Sequence, residues 1–189
     1  VYPQIMLTND LKKVLRNAEE DFAYFSEKLN HPESPDRTLL YLLILHSNMD
    51  HENAAKSSEN MRLTKEYKEE ILKLIEVRDR VLSNLSGNVD ISYYDVYNEL
   101  KGLSIEILLV LCMISGEKKV INRIILYINN LKNIKTYISG KDLRDLGVKP
   151  GPEYKLLLEE VLAAKLNGSL QTYKDELEFL KRIISKENN

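Results

Sequence analysis

Tryptophan is absent from this chain, cysteine occurs once, and there are only five prolines and seven glycines among 189 residues. A single cysteine rules out an intramolecular disulfide framework and fits a reducing interior. Cys112 sits in the apolar run IEILLVLCMISG, where it reads as a small buried hydrophobe. That run, over 105–115, contains Glu106 and falls far short of the roughly 20 apolar residues that span a bilayer, so no membrane partner is expected. No secretory leader is read, and a cytoplasmic location is expected. The first residue, Val1, stands inside a helix-like pattern, so the chain is expected to be a fragment of a longer protein.

Scarce glycine and proline leave Leu, Ile, Lys and Glu dominant, which favours helix. Leu11, Val14, Leu15, Ala18, Phe22, Phe25 and Leu29 recur at helical spacing across 8–29. Pro32 and Pro35 then break the pattern. Further helices are expected over 37–46, 51–58, 63–85, 93–101, 104–115, 118–133, 140–146, 152–167 and 173–185. Several carry start signals. Thr64 is followed by Glu66 in the first turn, and three Ser or Thr residues precede an Asp by three positions: Ser92 with Asp95, Ser139 with Asp142, Thr172 with Asp175. In each the side-chain oxygen satisfies an orphan amide and the acid opposes the positive helix end. No alternating pattern of strand length occurs, so the fold class is all-α. The organisation expected is a connecting or neck-like helical segment over 1–60, a helical body over 61–135 and a helical tail over 136–189.

Net charge is −2 and signals no general attraction to polyanions. Its distribution is uneven. Between 118 and 149 stand Lys118, Lys119, Arg123, Lys132, Lys135, Lys141, Arg144 and Lys149 against Asp142 and Asp145, eight cations to two anions, a net of +6. This reads either as a solvated helix face or as a phosphate-contacting surface. Two glycines and two prolines fall within LGVKPGP at 146–152. Gly147 reads as the left-handed residue closing one helix, and Pro152 suits the first turn of the next. Gly151 would let another backbone approach, and the free amides from Glu153 onward could hold an anion near Lys141, Lys149 and Lys155. Glu153 supplies a negative charge of its own there, and a purely structural hairpin remains the other reading.

GKDL, LG and KPGP, followed by an amphipathic helix ending in LNG and a last helix DELEFL, resemble the C-terminal region of class II tRNA nucleotidyltransferases. These include CCA-adding, CC-adding and A-adding enzymes and bacterial poly(A) polymerases. MRLTKEYKEEILKLI (61–75), LKGLSIEILLVL (100–111) and INRIILYINNLKNIK (121–135) resemble the family's body. Residues 1–58 match less clearly. The resemblance implies tRNA, at its acceptor stem and elbow, as partner, with Lys132, Lys135, Lys141, Arg144, Lys149 and Lys155 on its phosphates and Gly147 and Gly151 in the hairpin backbone. It also implies a catalytic head and a neck elsewhere on the polypeptide, with Mg²⁺ and CTP or ATP as that head's ligands. The head's Asp-x-Asp is absent from this sequence, and EVRDR (76–80) has the wrong order for the nucleotide-selecting Glu-Asp-x-x-Arg. This piece is therefore expected to be catalytically inert, with no catalytic or metal-binding residue. An apolar patch through Leu7, Leu11 and Val14 is expected where the neck would pack, and could pair two copies.

Other readings stay open. HSNMDHE (46–52) offers His46, Asp50, His51 and Glu52 as ligands, but an isolated His-Asp pair does not make a metal site, and surface or capping roles are the ordinary reading; the third histidine is His31. Tyr93, Tyr94, Tyr97, Tyr127 and Tyr137 could stack on bases or simply pack between helices. A stand-alone helical protein- or nucleic-acid-interaction module is the alternative function. A helix-hairpin-helix DNA-binding unit is the weaker one, since the glycines in LGVKPGP are four apart rather than two.

Overall fold

The structure, a computed structural model, describes residues 7–29, 34–87 and 90–187, the side chains of the last two excepted. Ten α-helices and no strand occur among the described residues: α1 (Asn9–Lys28), α2 (Arg37–His46), α3 (His51–Asn60), α4 (Lys65–Ser86), α5 (Tyr93–Leu100), α6 (Ile105–Ser115), α7 (Lys118–Leu126), α8 (Gly140–Asp145), α9 (Pro152–Leu166) and α10 (Tyr173–Glu187). The all-α class read from the sequence holds. The helix expected over 118–133 changes character, since α7 gives way to a π-helical turn at Tyr127–Leu131.

Side chains start these helices. Thr64 accepts from the Tyr67 amide, and Ser139 with Asp142 forms a full capping box. Ser92 and Asp95 exchange bonds in the same manner, as do Thr172 and Asp175. Thr8, Asp36 and Ser104 cap three more starts that sequence reading left unassigned, and Asp50 caps α3, one of the ordinary roles expected within HSNMDHE. Each such cap is worth about 1 kcal/mol.

The chain divides into two compact units. The first holds the described residues up to 87 together with Glu99–Asn129; the second holds Asp90–Asn98 and the residues from Asn130 onward. Helix α6 is the centre of the first. Every residue from Ile107 to Met113 is buried, so it is apolar all round and must be enclosed. Helices α1, α2, α4 and α7 enclose it, with α2 packing on both α6 and α4. Cys112 lies in this core, and burial pushes its thiol up to about 12, which makes it inert as a nucleophile.

Charged residues of the first unit bind both its backbone and one another. Arg78 donates to the carbonyls of Ser47 and Met49, and Arg80 pairs with Glu99. His46 is buried: its Nδ1–H donates to the Leu42 carbonyl at 2.7 Å, and its Nε2 accepts from the Ser57 hydroxyl at 3.0 Å. That corrects the surface or capping role expected of it. Asp50 caps α3 and His51 is exposed at the start of that helix, so the HSNMDHE stretch splits into a core group and a cap. His31 lies outside the described residues. Leu11 is also buried, so Leu7, Leu11 and Val14 do not form the exposed apolar patch expected of them.

The second unit is built around Ile138, Leu143, Leu157, Val161, Leu170 and Leu180. Removing such a side chain from water contributes about 1.5–3 kcal/mol. Helices α9 and α10 pack together, and α8 closes one end of this core through Leu143.

Candidate nucleic-acid interface

All six cations singled out for phosphate contact fall in the second unit. Lys135, Lys141, Arg144, Lys149 and Lys155 are exposed, and Lys132 is half-buried. Lys155 stands 4.0 Å from Glu159, a loose pair in solvent. Among the described residues no ion pair engages Lys135, Lys141, Arg144 or Lys149, so these four present uncompensated charge. The basic segment of the sequence is not one strip, however. Lys118, Lys119 and Arg123 belong to the first unit, where Lys119 donates to the Gly87 carbonyl and Arg123 to those of Leu85 and Gly87. They satisfy the orphan acceptors at the end of α4, as cations commonly do at a helix C-terminus.

The corner between α8 and α9 gives these cations a rigid base. Gly147 has φ +85°, the left-handed region. The Val148 amide returns to the Leu143 carbonyl at 3.1 Å and the Gly147 amide to Arg144 at 2.9 Å, closing α8 in a Schellman pattern. Gly151 behaves otherwise than expected. Its φ of 176° is ordinary extended backbone, and a Cβ there would meet nothing nearer than 3.9 Å, so no close approach requires glycine. The start of α9 is also a poor anion cradle. Pro152 has no N–H, the Tyr154 amide is taken by the Gly151 carbonyl at 3.1 Å, and Glu153 brings its own charge. Phosphate affinity here must come from side chains.

Tyr154 fastens the corner. Its hydroxyl donates to the Val148 carbonyl at 3.0 Å, and its ring lies where a Cβ on Gly140 would stand 3.4 Å away. The start of the unit is held from the far end. Glu176, fully buried, accepts the amides of Tyr137 and Ile138 on one oxygen, at 2.7 and 3.0 Å, and the Lys165 ammonium on the other at 2.7 Å. Lys165 in turn lies 3.5 Å over the Tyr137 ring. Sequence reading missed both arrangements. The signal available was a glutamate one position past Asp175, where a helix start already had its acid.

Asp142 is tied to Tyr173 and Ser139, whose hydrogen bonds hold its carboxyl below the usual range. It stays ionised, and among the described residues it forms no ion pair with Lys141 or Arg144. Of the tyrosines, Tyr127 is buried, Tyr93 and Tyr137 are exposed, and Tyr94 and Tyr97 are half-buried.

No family model matches the chain. An A-adding tRNA nucleotidyltransferase from Geobacter sulfurreducens (strain ATCC 51573 / DSM 12127 / PCA) is 28% identical over 187 residues, 97% of this chain. This chain resembles part of a tRNA nucleotidyltransferase. It spans about a fifth of that relative's length, 21%. Two solved structures share the fold. A CCA-adding enzyme in complex with ATP superposes over the whole chain with a TM-score of 0.70 at 23% identity, matching 43% of its own length. A tRNA-processing enzyme in an apo form matches 84% of this chain and 39% of its own, with a TM-score of 0.58 at 24% identity. The nucleotidyltransferase resemblance read from LGVKPGP and the body helices is thereby supported along nearly the entire chain.

Among the described residues, no three His, Cys, Asp or Glu side chains stand together as metal ligands. No helix among them is long and apolar enough to cross a membrane.

Proposed function

We propose that this chain is an RNA-holding portion of a tRNA nucleotidyltransferase, gripping tRNA while a catalytic head elsewhere on the polypeptide adds CCA or A to its 3′ end. The observation that carries the reading is the set of exposed, uncompensated cations Lys135, Lys141, Arg144 and Lys149 on one small rigid unit. Its similarity to an A-adding tRNA nucleotidyltransferase supports tRNA as the partner. Such a surface reads A-form shape and phosphates rather than base order. The acceptor stem and elbow are the tRNA parts it would grip, and Mg²⁺ with CTP or ATP would belong to the head.

A tRNA minihelix should bind this chain with an affinity that falls steeply as salt rises, and a B-form DNA duplex of equal length should bind more weakly. Equal binding of the two would leave only a generic basic surface. Absence of minihelix binding at low salt would favour a helical module that binds protein.

A further inference from the structure

An open groove of about 570 Å³ runs along the second unit, and the function proposed above uses only its rim. Its wall is apolar and aromatic: Tyr97, Ile134, Tyr154, Leu158 and Leu162. Lys135 and Lys155, both exposed, also line it. We propose that this groove takes an unpaired nucleobase of bound RNA, with Lys135 and Lys155 on its flanking phosphates. The inference rests on the RNA-binding reading and adds base contact to it.

Three features favour this occupant over an apolar peptide. A cleft of this size falls in the range that encloses small ligands, and a nucleotide offers an apolar face to the wall and negative charge to the lysines at once. An apolar peptide would gain nothing from two ammonium groups. The Tyr154 ring is already held, through its bond to Val148 and its contact with Gly140, so stacking on it orders nothing new. The remaining polar lining is rich in acceptors. Thr136 donates its hydroxyl hydrogen to the Ile138 carbonyl and keeps its lone pairs, and Glu159 presents a carboxylate. Acceptors suit bases with an exocyclic amino group. Adenine, cytosine and guanine qualify, and uracil does not.

The test titrates the 189-residue chain with tetra-adenylate, tetra-uridylate and an abasic ribose-phosphate tetramer at one fixed salt concentration. All three carry the same phosphates, so differences report base contact. Tetra-adenylate should bind about ten-fold more tightly than the abasic tetramer, the order expected for a stacked base, with tetra-uridylate between them. Gly151→Trp fills the groove without backbone strain, because residue 151 is extended and its Cβ direction is open. It should erase the adenylate advantage and leave abasic binding unchanged. Equal binding of all three tetramers overturns the groove assignment, and if the minihelix still binds, the RNA-holding function survives. Failure of both tetramers and minihelix removes both readings. An adenylate advantage that persists in a correctly folded Gly151→Trp places the base elsewhere and overturns the site. The comparison on the unsubstituted chain decides even if that variant does not fold.

Discussion

Arg62 adopts φ +52°, in the region that side chains other than glycine rarely enter. It closes α3, and the Leu63 amide returns to the Ser58 carbonyl at 3.1 Å as at Gly147. Arg62→Gly should raise stability by roughly 0.5–1 kcal/mol, since relief of strain outweighs the entropy glycine adds to the unfolded chain; a denaturant midpoint measures it. Gly147→Val should do the opposite at φ +85°, costing about 1–2 kcal/mol whether or not RNA is present. His46 makes the first unit sensitive to pH. Burial lowers its pKa, outweighing the Leu42 carbonyl, which raises it. The unfolded chain then binds more protons than the folded one below the ordinary histidine value of about 6.5. Stability should therefore be full above that pH and fall as pH drops through it, levelling once the folded imidazole also protonates. Melting temperatures from about pH 8 to about pH 5 should show this slope, and His46→Gln should flatten it.

Helices were legible because their starts carry local chemistry. Thr64, Ser92, Ser139 and Thr172 each lie within three residues of the amide or acid they engage, so the pattern survives in one dimension. What could not be read joins distant positions. Glu176 meets Tyr137 across 39 residues, and Lys165 across 11, and nothing in either neighbourhood marks the pairing. The opposite error arose at Gly151, where a glycine beside two prolines implied a steric demand that ordinary extended backbone does not make. Lys119 and Arg123 looked like part of a strip because charge in a sequence carries no direction. Their side chains turn to the carbonyls that end α4. The Glu176 arrangement gives this scale its prediction. Removing one partner leaves a buried charge uncompensated, so Glu176→Ala should cost about 3–5 kcal/mol. Amide hydrogen exchange should show the loss across Ile138, α9 and α10, with little change in α2 and α6. Uniform loss through both units would mean that they do not unfold separately.

At the scale of the molecule, three cations of the first unit bind its own backbone, while four of the second stand in water without an ion pair among the described residues. Arg78, Lys119 and Arg123 all donate to carbonyls. Lys135, Lys141, Arg144 and Lys149 do not stabilise the fold by any ion pair among the described residues, and reversing them should leave stability within about 0.5 kcal/mol of the parent. The direct measurement is the salt dependence of tRNA minihelix binding to the unsubstituted chain, to Lys132→Glu/Lys135→Glu and to Lys141→Glu/Lys149→Glu. The account predicts weaker binding in both double variants, equally for different tRNA sequences, with the slope of log affinity against log salt reduced by about one for each phosphate no longer neutralised. Unchanged affinity and slope in both variants, with the fold intact, would contradict it.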